Sequence, residues 1–216
     1  DYSRRAQEAV AGLVPPRGHS FCAGCPHRAT YWAIKTALAL DGRDGFVLGD
    51  IGCYSLGMGP SGFFQMKTLH AMGSGTGLAC GFGQLERFGM EQPVVAVCGD
   101  STFYHAAMPA LANAHYNGAN FLLLLLDNSA TAMTGFQPHP GTGSTATGGT
   151  APIIDLKAIC EVLGARVEVA DPFDAEATVE TILRLIRMER GVKVLILKRE
   201  CALVSGKRQK KLFRVE

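Results

Sequence analysis

A surplus of charge of one sign is missing from this sequence. Its 216 residues carry 21 Lys and Arg against 19 Asp and Glu, a net charge of +2, so nothing in the balance argues for nucleic acid or for any acidic partner. The basic run from Lys207 to Arg214 is local, is interrupted by Leu212 and Phe213, and reads as a solvated tail. Long apolar runs are missing too: none approaches the roughly 20 residues of a membrane helix, and no secretory signal opens the chain. No membrane association and a cytoplasmic location are therefore expected. No internal repeat is present. The chain begins at Asp1 rather than Met and stops at Glu216, which reads as a piece of a longer polypeptide.

What is there is enough apolar sequence for one α/β domain with a substantial core. The stretch from Val94 to Gly135 organises it. Two strongly apolar strand candidates, one ending in Gly99-Asp100-Ser101 and one in Asp127-Asn128, are separated by a single crossover helix. A right-handed crossover makes such strands parallel, so both polar caps fall at the same carboxyl edge of a sheet. There the Asp100 carboxylate and the Asn128 amide oxygen can face one ligand. Both are hard donors suited to a magnesium ion that shares its other sites with phosphate oxygens, and Ala130 can add its carbonyl. Ser101 and Thr102 would open the helix N-terminus toward the phosphates. A doubly wound domain whose strand ends merely carry turn residues is the plain alternative.

Around this centre the chain alternates strand and helix. A short helix over Tyr2 to Leu13 ends at Pro15-Pro16-Arg17-Gly18. Pro26 starts a helix running to about Leu40, and Phe46 to Gly49 is the first strand, ending in Asp50-Ile51-Gly52-Cys53 at the same type of edge. Gly57-Met-Gly59-Pro-Ser-Gly62 has the spacing of a dinucleotide fingerprint but holds Pro60 inside the turn, so that reading is rejected. His70 to Phe88 reads as a helix built on small residues, and Ser101 to Tyr116 as the crossover helix, in which Pro109 implies a kink or a late start. Residues 128–152 form a long Thr, Gly and Ser loop, expected to grip a cofactor or act as a lid. Asp155 and Asp174 cap two helices, ended by Gly164 and Gly191, and strands follow at Arg166 to Ala170 and Val192 to Leu197. The expected fold is α/β, a doubly wound, mainly parallel sheet over residues 1–216, with 1–18 an N-terminal helix and linker and 203–216 a basic C-terminal tail.

The motif Gly99-Asp100-Ser101 followed by Asn128 resembles the thiamine diphosphate motif, with Ser101 where many such enzymes have a second Gly. Thr131-Ala-Met-Thr-Gly-Phe-Gln-Pro-His-Pro-Gly141 extends the resemblance to the 2-oxoacid:ferredoxin oxidoreductases, most closely the indolepyruvate type. The resemblance implies a thiamine diphosphate-binding fold that holds the cofactor through Asp50, Ile51, Gly99, Asp100, Ser101, Thr102, Asn128, Ala130 and Thr131, with magnesium on Asp100, Asn128 and Ala130. It implies oxidative decarboxylation of an aryl 2-oxoacid to an acyl-coenzyme A, electrons leaving through a 4Fe-4S cluster to ferredoxin or a ferredoxin-like domain. It also implies a hetero-oligomer in which a pyrimidine-binding domain or subunit supplies the activating glutamate, so these residues alone are expected to be inactive. The segment Met66 to Met72 departs from the indolepyruvate pattern, which leaves phenylglyoxylate or another 2-oxoacid open.

Seven cysteines in a chain without a secretory signal point to metal ligands, redox groups or core packing rather than disulfides. Cys80, Cys98 and Cys160 lie in apolar helix or strand patterns and are assigned to the core. Cys22 and Cys25 form a Cys-x-x-Cys pair, while Cys53 and Cys201 each follow a strand, so in a parallel sheet four thiolates can converge. The set resembles the ligands of the 4Fe-4S cluster nearest thiamine in the oxidoreductase family; a zinc-bound interaction module would need the same thiolates, and a non-redox thiamine decarboxylase or synthase would need none. His27, His70 and His139 sit in turns near the proposed edge and are the candidates for touching cofactor or substrate. His105 is a weaker one, and His19 and His115 read as structural.

Overall fold

The computed structural model describes residues 1–13 and 18–208. Five strands, β1 Phe46–Leu48, β2 Val94–Gly99, β3 Phe121–Asp127, β4 Arg166–Ala170 and β5 Val192–Lys198, form one sheet in the order β1-β2-β3-β5-β4. Every pairing is parallel. The centre of the sheet reads as uninterrupted apolar sequence because helices cover both of its faces. Val94, Ala96 and Cys98 of β2 and Phe121, Leu123 and Leu125 of β3 pack on one side, against α3 Ser74–Phe82, α5 Met108–Tyr116 and α6 Leu156–Val162. Val95, Val97, Leu122, Leu124 and Leu126 face the other, against α2 Pro26–Asp41 and α7 Ala175–Arg187. Each leucine of β3 is at most 1% exposed, which contributes about 1.5–3 kcal/mol apiece.

Local chemistry sets the helix ends. Pro26 occupies the first turn of α2, Gly42 closes it in a left-handed conformation, and the Asp155 and Asp174 side chains accept from Ala158 N and Ala177 N at the starts of α6 and α7. Cys80, Cys98 and Cys160 are buried as core residues. Short 3-10 turns occupy Cys53–Met58 and Pro60–Gly62, where a dinucleotide loop would lead into a helix.

Several expectations need correction. The helix expected from His70 begins only at Ser74, because Gly73 is left-handed, and Gly83 interrupts it before a 3-10 turn at Leu85–Phe88. The crossover takes the late start that Pro109 allows rather than a kink: α4 Asp100–Thr102 passes into a π-helical turn, Phe103–Ala107, and α5 begins at Met108 with Pro109 in its first turn. Pro109 explains the turn. It has no N–H for the carbonyl four residues back and its ring crowds that carbonyl, so Met108 N donates instead to Phe103 O, one residue further. The first helix, α1 Tyr2–Val10, is shorter than expected; its expected break at residues 14–17 lies outside the described residues. The expected tail is helical at its start, α8 Ala202–Arg208, and residues 209–216 lie outside the described part. Between β3 and α6 the long loop carries isolated bridges at Thr131 to Gln137 and Ser144 to Thr150.

Candidate active site

Because β2 and β3 run parallel with Gly99 beside Leu126, the two polar caps meet at the carboxyl edge. Asp100 is 3% and Asn128 6% exposed, and both line a cleft of about 160 Å³ together with His27, Ile51, Cys53, Tyr54, Gly99, Ser101, Thr102, Ala130 and Thr131. Asp100 Oδ1 accepts from Ser101 N at 2.7 Å, and its Oδ2 accepts from Ser129 N at 2.8 Å. Ser129 has a φ of +59°, a left-handed conformation that costs a non-glycine residue of order 1 kcal/mol. That backbone is held by the two carboxylates of Asp100 and Asp127, the latter 3.1 Å from Ser129 N. The turn brings the Asn128 side chain back so that its Oδ1 accepts from Ala130 N at 3.2 Å. A carboxylate, an amide oxygen and a nearby backbone carbonyl thus stand together beside a helix start whose Gly99 cap offers no side chain of its own, a donor set that fits a hard divalent cation shared with phosphate oxygens.

The buried groups behind the cleft are arranged around these. Asp127 lies close to Asp100, and burial first and the Asp100 charge second push its carboxyl above the usual range, with Lys198 acting against them. His139 is buried, stacks on Tyr104 with ring centroids 5.6 Å apart, and accepts from Gly141 N through Nδ1. Its Nε2 sits 3.2 Å from Asp100 Oδ2, off the line of a straight hydrogen bond. His27 is buried with its Nε2 3.2 Å from Asn128 Nδ2. Burial holds its ring near a pKa of about 4 against the pull of the Asp100 charge, so it is neutral at pH 7.

Not every expected residue reaches the cleft. Asp50 is fully buried behind its wall, where it accepts from Tyr54 Oη and from Gly75 N at the start of α3. Desolvation raises its carboxyl pKa against those hydrogen bonds. His70 and His105 are exposed and lie outside the cleft lining, and His19 and His115 are exposed as well. Tyr54, not singled out from the sequence, is the link that reasoning missed: its hydroxyl, whose one proton goes to Asp50, also lies 3.0 Å from Ile51 O and 3.1 Å from Thr102 Oγ1. Only its place directly after Cys53, in a glycine-rich turn, hinted at it. Asp127, part of the Asp-Asn strand cap but given no role of its own by the sequence, lies beside Asp100.

The cysteines gather on the neighbouring side. Cys25 caps α2, Cys53 opens the 3-10 turn after β1 and itself lines the cleft, and Cys201 N donates to Asn128 O at 3.0 Å. Burial, and then the nearby thiols, push Cys53 up to about 11, and burial likewise raises Cys25. Cys22, Cys25 and Cys201 all lie close enough to act on Cys53, and none of the four is in a disulfide. Among the described residues no three His, Cys, Asp or Glu side chains stand close enough to hold a single ion.

An all-parallel doubly wound sheet with a polar cleft at its carboxyl edge has the form in which such sheets bind cofactors. Residues 50–197 match the family model described as thiamine pyrophosphate enzyme, C-terminal TPP binding domain, and the chain belongs to that family. It is 44% identical over 207 residues to an indolepyruvate oxidoreductase subunit IorA from Thermococcus kodakarensis, covering 91% of this chain and 31% of the relative. A subunit of the same name from Methanothermobacter thermautotrophicus is 42% identical, with 89% and 31% covered. The chain thus spans about a third of the length of these curated relatives. Among solved structures, a 2-oxoglutarate:ferredoxin oxidoreductase from Magnetococcus marinus superposes with a TM-score of 0.70 at 21% identity, over 87% of this chain and 66% of that one, which establishes the shared fold. No helix among the described residues is long and apolar enough to cross a membrane.

Proposed function

We propose that residues 1–216 act as one domain that holds the diphosphate and magnesium of thiamine diphosphate in a 2-oxoacid:ferredoxin oxidoreductase of the indolepyruvate type. The observation that carries this reading is the meeting of Asp100, Asn128 and Ala130 around the strained Ser129 turn. Asp100, Asn128 and the Ala130 carbonyl would hold the cation, and the helix start would present the Ser101 and Thr102 hydroxyls and the Thr102 N–H to the diphosphate, the Ser101 N–H being taken by Asp100 Oδ1. Thr131 donates to Ser101 Oγ at 2.8 Å and fixes that hydroxyl. Thiamine diphosphate, when bound, supplies the nucleophilic carbon and electron sink for loss of carbon dioxide from the 2-oxoacid.

This chain's own residues do the rest by position. Ile51, Met72 and Met133 line the cleft with apolar side chains that suit an aryl group. Cys22, Cys25, Cys53 and Cys201 would hold a 4Fe-4S cluster, which would supply a one-electron path toward ferredoxin or a ferredoxin-like domain. The reading has coenzyme A accept the acyl group in the cytoplasm, within a hetero-oligomer. A pyrimidine-binding domain or subunit supplies the activating glutamate, so these residues alone are expected to be inactive. Of the histidines, His27 and His139 flank the cation position, and the exposed His70 is left for contacts with substrate or a neighbouring domain. The departure at Met66 to Met72, with Met72 on the cleft wall, favours keeping other 2-oxoacids such as phenylglyoxylate as the second reading of the substrate.

The test is Asp100→Ala in the full-length protein with its native neighbours, read by calorimetric titration with thiamine diphosphate. Magnesium-dependent binding should disappear, and an unchanged affinity would remove the reading. Iron and acid-labile sulfide measured on the anaerobically purified protein separate the redox enzyme from a non-redox decarboxylase or synthase, and zinc in their place would mark an interaction module.

A further inference from the structure

We propose that His27 is a positioning residue that orients the side-chain amide of Asn128 with its oxygen toward the cation position, an inference that rests on the magnesium reading above. Asn128 Oδ1 accepts from Ala130 N at 3.2 Å, and Asn128 Nδ2 lies 3.2 Å from His27 Nε2. Turning the amide over would set its NH2 group against the Ala130 N–H, donor against donor, so the backbone decides which end is oxygen. The Nε2 of His27 is then the acceptor, and the ring carries its proton on Nδ1.

The imidazole is itself held. It follows Pro26 in the first turn of α2 and meets Phe21 and Tyr54 edge to face, with ring centroids 6.4 Å away in both cases. On the other side the Asn128 carbonyl accepts from Cys201 N at 3.0 Å. With its NH2 end taken by His27, Asn128 has one orientation available, and a lone pair of Oδ1 remains for the cation. His27 also stands two residues after Cys25, so the start of α2 places the cysteine loop and the cation position together.

The experiment uses the full-length protein with its native neighbours and titrates thiamine diphosphate at stepped magnesium concentrations. His27→Phe, which keeps a ring but has no acceptor, should need at least about tenfold more magnesium for half-maximal cofactor binding, with cofactor affinity recovering at high magnesium. His27→Gln, whose amide oxygen reaches the place of Nε2, should restore the ordinary magnesium requirement. An unchanged requirement in His27→Phe, while Asp100→Ala abolishes binding, overturns the role of His27 and leaves the cation site standing. Magnesium-independent binding in the unsubstituted protein overturns both. A measurement that needs no variant is the 15N resonance of His27: a proton on Nδ1 supports the inference, and a proton on Nε2 overturns it.

Discussion

Lys193 shows how much a single buried charge constrains the fold. It is 4% exposed at the amino end of β5, and its ammonium donates to Asn120 Oδ1 at 2.6 Å. Asn120 in turn donates to Glu86, which also meets Arg190 at 3.1 Å. Burial draws the Lys193 pKa down to about 8 despite the Glu86 charge. Between that value and the ordinary 10.5, the unfolded chain keeps a proton that the folded chain has lost, so stability rises with pH across this window. Measured against Lys193→Met, which lacks the titration, the unsubstituted protein should gain up to about 3 kcal/mol from pH 7 to pH 10 in urea denaturation; a gap that stays flat, or closes the other way, would show that Lys193 is solvated. At this scale the sequence was a partial guide. It placed Asp100 and Asn128 correctly at one edge but could not tell a carboxylate that faces the cleft from one turned behind it. Asp50 turns inward because the first N–H groups of α3 and the Tyr54 hydroxyl need an acceptor, a demand made by residues that are distant in sequence.

Elements follow the same division. Patterning located β1 to β5 and all but the details of their helices, because the inner strands β2, β3 and β5 are covered on both faces and must be apolar, whereas the edge strand β4, with Arg166 and Glu168, is only partly covered. It did not foresee the π-helical turn before Pro109 or the late start of α3, which depend on how two segments fit together. Gly75 marks that fit. A Cβ there would stand 2.8 Å from Gly49 Cα and 2.9 Å from its carbonyl carbon, backbone that cannot give way, whereas a Cβ on Gly77 in the same helix meets nothing within 4 Å. Gly75→Ala should cost about 1–3 kcal/mol and loosen the Asp50 cap, while Gly77→Ala should stabilise α3 by about 0.5–1 kcal/mol. Equal effects of the two on the denaturation midpoint would contradict this packing of α3 on β1.

Across the whole molecule, the cofactor cleft and the cysteine group are neighbours joined by main-chain and side-chain bonds. Cys201 bonds to Asn128, Cys53 precedes the Tyr54 that reaches Thr102, and Cys25 precedes the His27 that reaches Asn128. Burial first and its thiol neighbours next push the Cys53 thiol up to about 11, so a metal bound there would have to displace its proton. Cys53→Ser should therefore lower the iron and sulfide content of the anaerobically purified full-length protein and alter its visible spectrum, and an undiminished iron content would remove Cys53 from the ligand set. The amino-acid sequence by itself determined the parallel sheet, the edge at which its polar caps meet and the cofactor class, because strand patterning and short motifs are local properties. Tertiary structure alone decided which polar groups face the cleft and which support it from behind. Those orientations are set by partners far along the chain, as with Asn128 and His27, 101 positions apart, and only packing brings such pairs within a hydrogen bond.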